Sequence, residues 1–308
     1  MDRVEISYRQ LAQIAHPWAL LGGILLYALG VGIAVFLGRP IDGQVYLLGQ
    51  GFVTALQLTS FFLVAYFQTE PDEIRLARRR RAAQAEGEPL PEEAFVPRNL
   101  MLLIGISALT IAAALAVLLY AAGAFNPTVL VFVTLAFILA FFYAVPPVQL
   151  AESGYGDLTS AIFLANLTPT LGYVLQTGEL HRLLAMLTFP LTALYLAMTL
   201  ALSLQTYYRD LKSQHQTLMV RIGWQRGMTM HNLMILAAYF LIGLAAILGL
   251  PWSLTWPALL TIPLGMFQIY QIWQISQGAP PRWRLLRLTA VSTLGLMVYF
   301  IAYALWIG

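Results

Sequence analysis

Long apolar runs, separated by short polar segments, recur along the whole 308-residue chain. One helical membrane span needs about 20 consecutive apolar residues. The runs are continuously apolar rather than alternating, which argues against strands. The pattern predicts nine transmembrane helices at about residues 18–38, 44–67, 100–122, 127–146, 158–177, 183–205, 231–250, 255–275 and 286–306. The predicted fold class is therefore all-α, a polytopic membrane bundle forming a single domain over residues 1–308.

Composition favours an integral, multi-pass membrane protein. The chain is 59% hydrophobic and only 10% charged, with a mean hydropathy of +0.74. A soluble domain of this length could not bury so much apolar side chain. The chain has no cysteine, which excludes disulfides and thiolate metal sites. No cleavable signal peptide is expected, and the expected setting is a lipid bilayer, in a prokaryotic inner membrane, with no nucleic-acid partner.

The positions of the basic residues predict the orientation of the bundle. With the N-terminus in the cytoplasm, all 17 basic residues except Arg39 and Arg182 fall on the cytoplasmic side. The acidic residues follow the same rule, with Asp42 and Glu179 as the exceptions. The polar chemistry of the protein is therefore expected at the cytoplasmic face.

The most extended polar segment, residues 69–99, is predicted to be a cytoplasmic loop between the second and third spans. Its run of four arginines, Arg78 to Arg81, is expected to meet anionic lipid headgroups. The alternative is that some of these arginines clamp a diphosphate.

Five short segments, in a fixed order, resemble one known family. They are His16-Pro17-Trp18, Glu88-Pro89-Leu90-Pro91, Val96-Pro97-Arg98, the stretch from Tyr143 to Asp157, and Thr217 to Gly223. Together they resemble the UbiA superfamily of intramembrane prenyltransferases, most of all its menaquinone-type and chlorophyll-synthase-type branches. The resemblance implies a nine-helix bundle around a central cavity. It also implies transfer of a prenyl chain from an isoprenoid diphosphate to a hydrophobic aromatic acceptor of the quinone-precursor type, with magnesium held by two Asp-rich motifs.

The first of these Asp-rich motifs is degenerate in this chain. Aligned on the family pattern, Val64 takes the place of an asparagine, while Ala65 and Gln68 take the places of the first two aspartates. Only the third aspartate is present, as Asp72, directly after Pro71. Proline disturbs a helix and displaces the residue that follows it from the family geometry.

The second motif is reduced as well. Counted back from Thr217 without a gap, Thr206 takes the first aspartate position and Asp210 the second. A gapped alternative matches Asp210 to the first position and leaves Gln214 at the second. In both alignments three of the five family carboxylates are absent.

The resemblance assigns roles to the residues that remain. Magnesium prefers oxygen ligands, and a departing diphosphate needs neutralisation by metal ions or by Arg and Lys. The implied metal ligands are Asp72, Asp210 and Glu70, with the two aspartates catalytic. The implied substrate-binding residues are Arg75, Arg209, Lys212, Arg221, Tyr66, Gln68, Tyr143, Thr206 and Tyr207.

Simpler explanations stand beside these roles. Asp72 and Asp210 could pair with Arg75 and Arg209 at the water interface and cap helices. Asp157 is predicted to cap the fifth span, and Asn166 to form a hydrogen bond between helices.

Two functions therefore stay open. One is a prenyltransferase with a weakened magnesium site. The other is a catalytically inactive protein that binds a quinone, isoprenoid or pigment, or serves as a membrane assembly subunit. Missing carboxylates favour a neutral, apolar pocket, which suits the second function.

Overall fold

The computed structural model describes residues 7–77, 95–213 and 215–307, and the regular structure within these ranges is helical. The all-α prediction is confirmed. The principal helices are α1 (Tyr8–Ile14), α2 (Pro17–Phe36), α3 (Gly43–Gln68), α4 (Arg98–Ala121), α5 (Pro127–Ala144), α6 (Gly156–Thr177), α7 (Arg182–Lys212), α8 (Leu218–Ile222), α9 (Trp224–Ile247), α10 (Trp252–Leu259), α11 (Ile262–Ser276) and α12 (Trp283–Ile307). Residues 72–77 are also helical. The Arg78–Arg81 run and the segment Glu88-Pro89-Leu90-Pro91 lie outside the described residues.

Eight helices in the described ranges are long and apolar enough to cross a membrane, so the protein is an integral, multi-pass membrane protein. Each corresponds to one predicted span. The prediction of a single helix over 255–275 is wrong, because that segment is divided between α10 and α11. Pro257 lies inside α10 and Pro263 in the first turn of α11. Proline has no amide hydrogen to donate, so the helix cannot continue unbroken through this segment.

Helices α2 and α6 approach each other at small residues. A Cβ added at Gly172 would lie 2.5 Å from the backbone oxygen of Tyr27, and one added at Gly30 would collide with the backbone oxygen of Pro169. Small residues let the backbones of membrane helices approach closely. Lipid supplies no hydrophobic driving force between helices, so van der Waals contact at such places stabilises their packing. This contact fixes the position of α6 beside α2.

The middle of α6 is a π-helical turn over Ile162–Leu167. Pro169 lies two residues after it and cannot donate the usual helical hydrogen bond. The hydroxyl of Thr168 donates to the Phe163 carbonyl at 2.9 Å. Within this turn the Asn166 amide donates to the Thr188 hydroxyl on α7 at 3.0 Å, which confirms the predicted bond between helices.

The two ends of the bundle differ in their chemistry. At one end Arg39 forms an ion pair with Glu179, and the backbone amide of Asp42 donates to the Gln176 side chain at 2.9 Å. The opposite end, named here the charged end, comprises the ends of α3, α5 and α7, the starts of α4, α6 and α9, and α8. It carries the residues to which the family resemblance assigns metal or substrate binding.

Candidate functional site

A cavity of about 260 Å³ lies among α2, α3, α5, α6 and α7. Its volume lies just below the range usual for small-molecule sites, about 300 to 1,000 Å³. Its walls contain no Asp, Glu, Lys or Arg among the described residues. The lining residues are His16, Ala19, Gln57, Ser60, Phe61, Val64, Leu139, Ala140, Tyr143, Thr159, Ser160, Phe163, Leu164 and Tyr195. The cavity is therefore apolar, with a few uncharged polar groups.

Helix α3 contributes one stripe to this wall. Gln57, Phe61 and Val64 recur at the spacing that places side chains on one helix face. Ala65 lies on the adjoining face and packs against a separate apolar cluster of Phe62, Val96 and Met101. Ala65, which takes the place of the first family aspartate, thus packs beside the start of α4.

The polar groups of the cavity lie on different helices. Gln57 is 2% exposed, and its Nε2 donates weakly to the Ala19 carbonyl on α2, at 3.4 Å. Ser60 donates to the Leu56 carbonyl at 3.0 Å. On the opposite wall lie Tyr195 and Ser160, and the Ser160 hydroxyl donates to the Asp157 carbonyl at 2.9 Å. These groups can orient a ligand without supplying charge.

Asp72 is held by the start of α4 rather than by the cavity. Its two carboxylate oxygens accept from the backbone amide of Arg98 at 3.3 and 3.1 Å. The Arg75 guanidinium lies 3.4 Å from the same carboxylate. A carboxylate at a helix N-terminus satisfies free amides and complements the helix dipole. The capping and pairing that the sequence left open for Asp72 therefore describe its contacts.

Arginine–aromatic contacts surround this cap. The Arg98 guanidinium lies over the Tyr66 ring, 4.2 Å from the centroid, and its Nε donates to the Tyr66 carbonyl at 3.0 Å. Arg75 lies over the Phe95 ring at 4.8 Å. Such contacts tie the end of α3 to the start of α4. Tyr66 is occupied in this contact and does not line the cavity.

Asp210, near the end of α7, is 5% exposed. One of its carboxylate oxygens accepts from the Thr206 hydroxyl one turn earlier, at 2.5 Å. The other lies 3.5 Å from Nε of Arg209, whose side chain is 77% exposed. Tyr207 packs edge-on against Tyr208, and Lys212 is exposed at the helix end. Gln214 of the gapped alignment lies outside the described residues.

Asp157 caps a helix other than its own. It lies in the first turn of α6, but its carboxylate accepts from the backbone amide of Leu218, the first residue of α8, at 3.0 Å. Thr217 caps the same helix by accepting from the Val220 amide at 3.2 Å. The prediction that Asp157 caps the fifth span is wrong, because the chain brings the start of α8 against the start of α6.

Further contacts close the charged end around α8. The Arg221 guanidinium donates to the Ser153 carbonyl at 2.7 Å and lies 4.1 Å from the centroid of the Tyr155 ring. Nδ1 of His215 lies 3.2 Å from the Glu152 carboxylate. Arg221 is thus held by the connection before α6 and not by the cavity.

The donor set at the charged end does not fit a magnesium site. Asp72 and Asp210 are held by separate sets of partners, each including an arginine. Glu70 and Gln68 are exposed. Across the described ranges, no group of three His, Asp or Glu side chains that could hold a metal is found. Magnesium needs near-octahedral oxygen coordination, which these residues do not provide together.

Most of the predicted site residues lie outside the cavity. Tyr143 lines the cavity, whereas the other predicted metal and substrate residues are absent from its lining. The sequence reasoning did not assign His16, Gln57, Ser60 or Tyr195 to a cavity. One signal was available for Gln57, because an amide inside an apolar span needs a partner or a function.

No family model matches the chain, and no curated protein matches it. A UbiA homolog from Archaeoglobus fulgidus bound to GPP and Mg2+ superposes with a TM-score of 0.64 at 16% identity, covering 95% of this chain and 98% of that one. The apo structure of a UbiA homolog from Aeropyrum pernix K1 gives a TM-score of 0.63 at 14% identity, covering 92% and 96%.

The chain has the fold of the UbiA homologs. The similarity extends over nearly the full length of both chains, so the UbiA fold accounts for the bundle as a whole. A third structure, the Archaeoglobus fulgidus homolog bound to DMAPP and Mg2+, gives a TM-score of 0.64 at 16% identity and covers 95% and 97%. A shared fold does not by itself carry over an activity.

Proposed function

We propose that this protein is a UbiA-superfamily member of a prokaryotic membrane whose central cavity binds an uncharged isoprenoid or quinone-type lipid. The observation that carries the proposal is the charge-free lining of the cavity. A diphosphate in such a pocket would be buried without compensating cations or metal, at a cost of many kcal/mol. An isoprenoid chain gains free energy from the same walls.

The related structures support the isoprenoid part of the proposal. Homologs of the same fold are described as bound to GPP and to DMAPP, which are isoprenoid diphosphates. The UbiA fold is thus compatible with a prenyl chain. In this chain, Ala65, Gln68 and Thr206 stand where the family has carboxylates, and the remaining Asp72 and Asp210 have structural partners.

Prenyl transfer is the second candidate. It is favoured by the fold shared with the GPP- and Mg2+-bound homolog. In that case Asp72 and Asp210 would be the carboxylates that bind the metal, with an aromatic or quinone-precursor acceptor in the cavity.

Equilibrium binding of farnesol and of farnesyl diphosphate, each with and without Mg2+, distinguishes the two functions. The protein would be held in nanodiscs. We expect farnesol to bind and Mg2+ to leave the affinity for the diphosphate unchanged. Val64→Trp, which fills the cavity, should weaken farnesol binding about tenfold or more. Leu47→Trp is the matched control, since Leu47 lies on the same helix with its side chain exposed.

The opposite result of this binding experiment would support prenyl transfer. Mg2+-dependent binding of the diphosphate that Asp72→Asn and Asp210→Asn both abolish would establish the enzyme function. Release of diphosphate in the presence of an aromatic acceptor would then complete the case for transfer. Failure of both farnesol and farnesyl diphosphate to bind would contradict both candidates.

A further inference from the structure

One wall of the cavity carries a buried hydrogen-bond acceptor that lacks a partner. The amide oxygen of Gln57 is fully buried, and no hydrogen bond reaches it. The residue as a whole is 2% exposed. An unpaired buried polar group costs about 1 to 3 kcal/mol, so such a group calls for an explanation.

The surroundings of Gln57 fix which of its atoms is free. Nε2 donates to the Ala19 carbonyl at 3.4 Å. Rotating the amide by 180° would bring its oxygen against that carbonyl oxygen, and two acceptors repel. The observed orientation therefore leaves an acceptor, and not a donor, for a ligand.

Space for this amide is provided by α2. A Cβ at Gly23 would collide with the Gln57 amide and would lie 2.8 Å from its Cδ. The side chain thus lies across a glycine, in a position that any larger residue would close. The hydroxyl of Ser60, one turn away on α3, is already committed, since it donates to the Leu56 carbonyl. Among the described residues, no side chain or backbone amide donates to the Gln57 oxygen.

We propose that a small shift of the Gln57 side chain lets its amide oxygen accept a hydrogen bond from the hydroxyl of an uncharged isoprenoid-type lipid, making Gln57 a head-group recognition residue. The proposal rests on the proposed lipid-binding function and specifies its ligand class. Isoprenoid alcohols and quinols carry the required donor. Their ethers and quinones lack it. The cavity of about 260 Å³ accommodates the head group and the start of a chain.

The test compares ligands that differ only in the donor. Farnesol and its methyl ether form one pair, and a short-chain prenylated benzoquinol and its quinone form the other, the latter measured anaerobically. Binding would be measured for the protein in nanodiscs. We expect the donor member of one pair to bind about three- to tenfold more tightly to the wild type. The pair that shows the preference identifies the alcohol or the quinol as the source of the hydroxyl.

Gln57→Met keeps the length of the side chain and removes the acceptor, so it should abolish the preference for the donor member of the pair. Gln50→Met is the matched control. Gln50 also lies on α3 with a buried, unpartnered amide oxygen, but it does not line the cavity. The control should keep the wild-type preference.

Two results overturn the inference without touching the proposed function. One is equal binding of donor and non-donor ligands to the wild type, which would assign the Gln57 oxygen to bound water. The other is an unchanged preference in Gln57→Met. If none of the four ligands binds, the proposed lipid-binding function itself fails.

Discussion

The carboxylate of Asp72 accepts hydrogen bonds from the backbone amide of Arg98, at 3.3 and 3.1 Å, and so closes the N-terminus of α4. The position that the family resemblance assigns to a metal ligand thus fastens the end of α3 to the next transmembrane helix. Arg75, assigned to a diphosphate, pairs with the same carboxylate. Both residues have a structural role that is independent of any substrate.

Replacing Asp72 should therefore lower stability rather than ligand affinity. Asp72→Ala removes a helix cap and an ion pair, and we expect a loss of about 1 to 2 kcal/mol in the free energy of unfolding. Asp72→Asn keeps one acceptor oxygen and should lose less. Thermal unfolding in detergent, with the exposed neighbour Glu73→Ala as control, measures the difference. Stabilisation of the wild type by Mg2+ that Asp72→Ala abolishes would contradict this role.

The close approach of α2 to α6 predicts a sharp contrast between two glycines on one helix. Gly30→Ala places a methyl group against the Pro169 backbone, which cannot move independently of α6. Overpacking of this kind costs about 1 to 3 kcal/mol. Gly22→Ala meets nothing within 4 Å and should be neutral or slightly stabilising.

The check on this pair is the unfolding temperature together with the size-exclusion profile. Equal behaviour of the two variants would mean that α2 and α6 are not packed as closely as described.

Asp157 is expected to control the order of α8. Asp157→Ala leaves the Leu218 amide without its acceptor, so the short helix over Leu218–Ile222 should fray. Hydrogen–deuterium exchange should accelerate in that segment and stay unchanged in α4. Asp157→Asn keeps an acceptor oxygen and should exchange more slowly than Asp157→Ala. Unchanged exchange in both variants would show that Thr217 alone suffices as the cap.

The hydrogen bond between Asn166 and Thr188 offers a measure of coupling between α6 and α7. A double-mutant cycle with Asn166→Ala and Thr188→Val should give a coupling energy of about 0.6 kcal/mol, the usual size for side-chain hydrogen bonds between membrane helices. A cycle pairing Asn166→Ala with Thr110→Val serves as control, since Thr110 donates to the Ile106 carbonyl within α4. A coupling energy no larger than in the control cycle would mean that this hydrogen bond does not help to hold α6 in place.

The spans could be predicted from sequence because the bilayer imposes a simple rule on length and polarity. That rule works on one segment at a time, and it located eight spans as single helices. It could not foresee the division between α10 and α11, since both parts are apolar. Pro257 and Pro263 indicate the break, but the continuous apolar sequence of residues 255–275 favours a single span.

The site was harder to predict because it depends on contacts distant in sequence. Nothing near Asp72 in the chain indicates that Arg98 supplies its partner, and nothing near Asp157 points to Leu218. The cavity is assembled from residues on five helices that are distant in sequence, so no local motif marks it. Gln57 was visible as an amide within an apolar span, but its free oxygen emerges only when Ala19 and Gly23 are placed beside it.

The break between α10 and α11 bears on how the protein enters the membrane. Backbone groups freed by a broken helix need partners inside the protein, because lipid offers none. Thr261 meets this need by donating to the Ala258 carbonyl at 2.7 Å, and Tyr239 on α9 donates in turn to Thr261 at 3.0 Å. The segment is therefore a poor candidate for partitioning into lipid alone. Its insertion should be coupled to that of α9, so that the two enter the bilayer as one unit during synthesis.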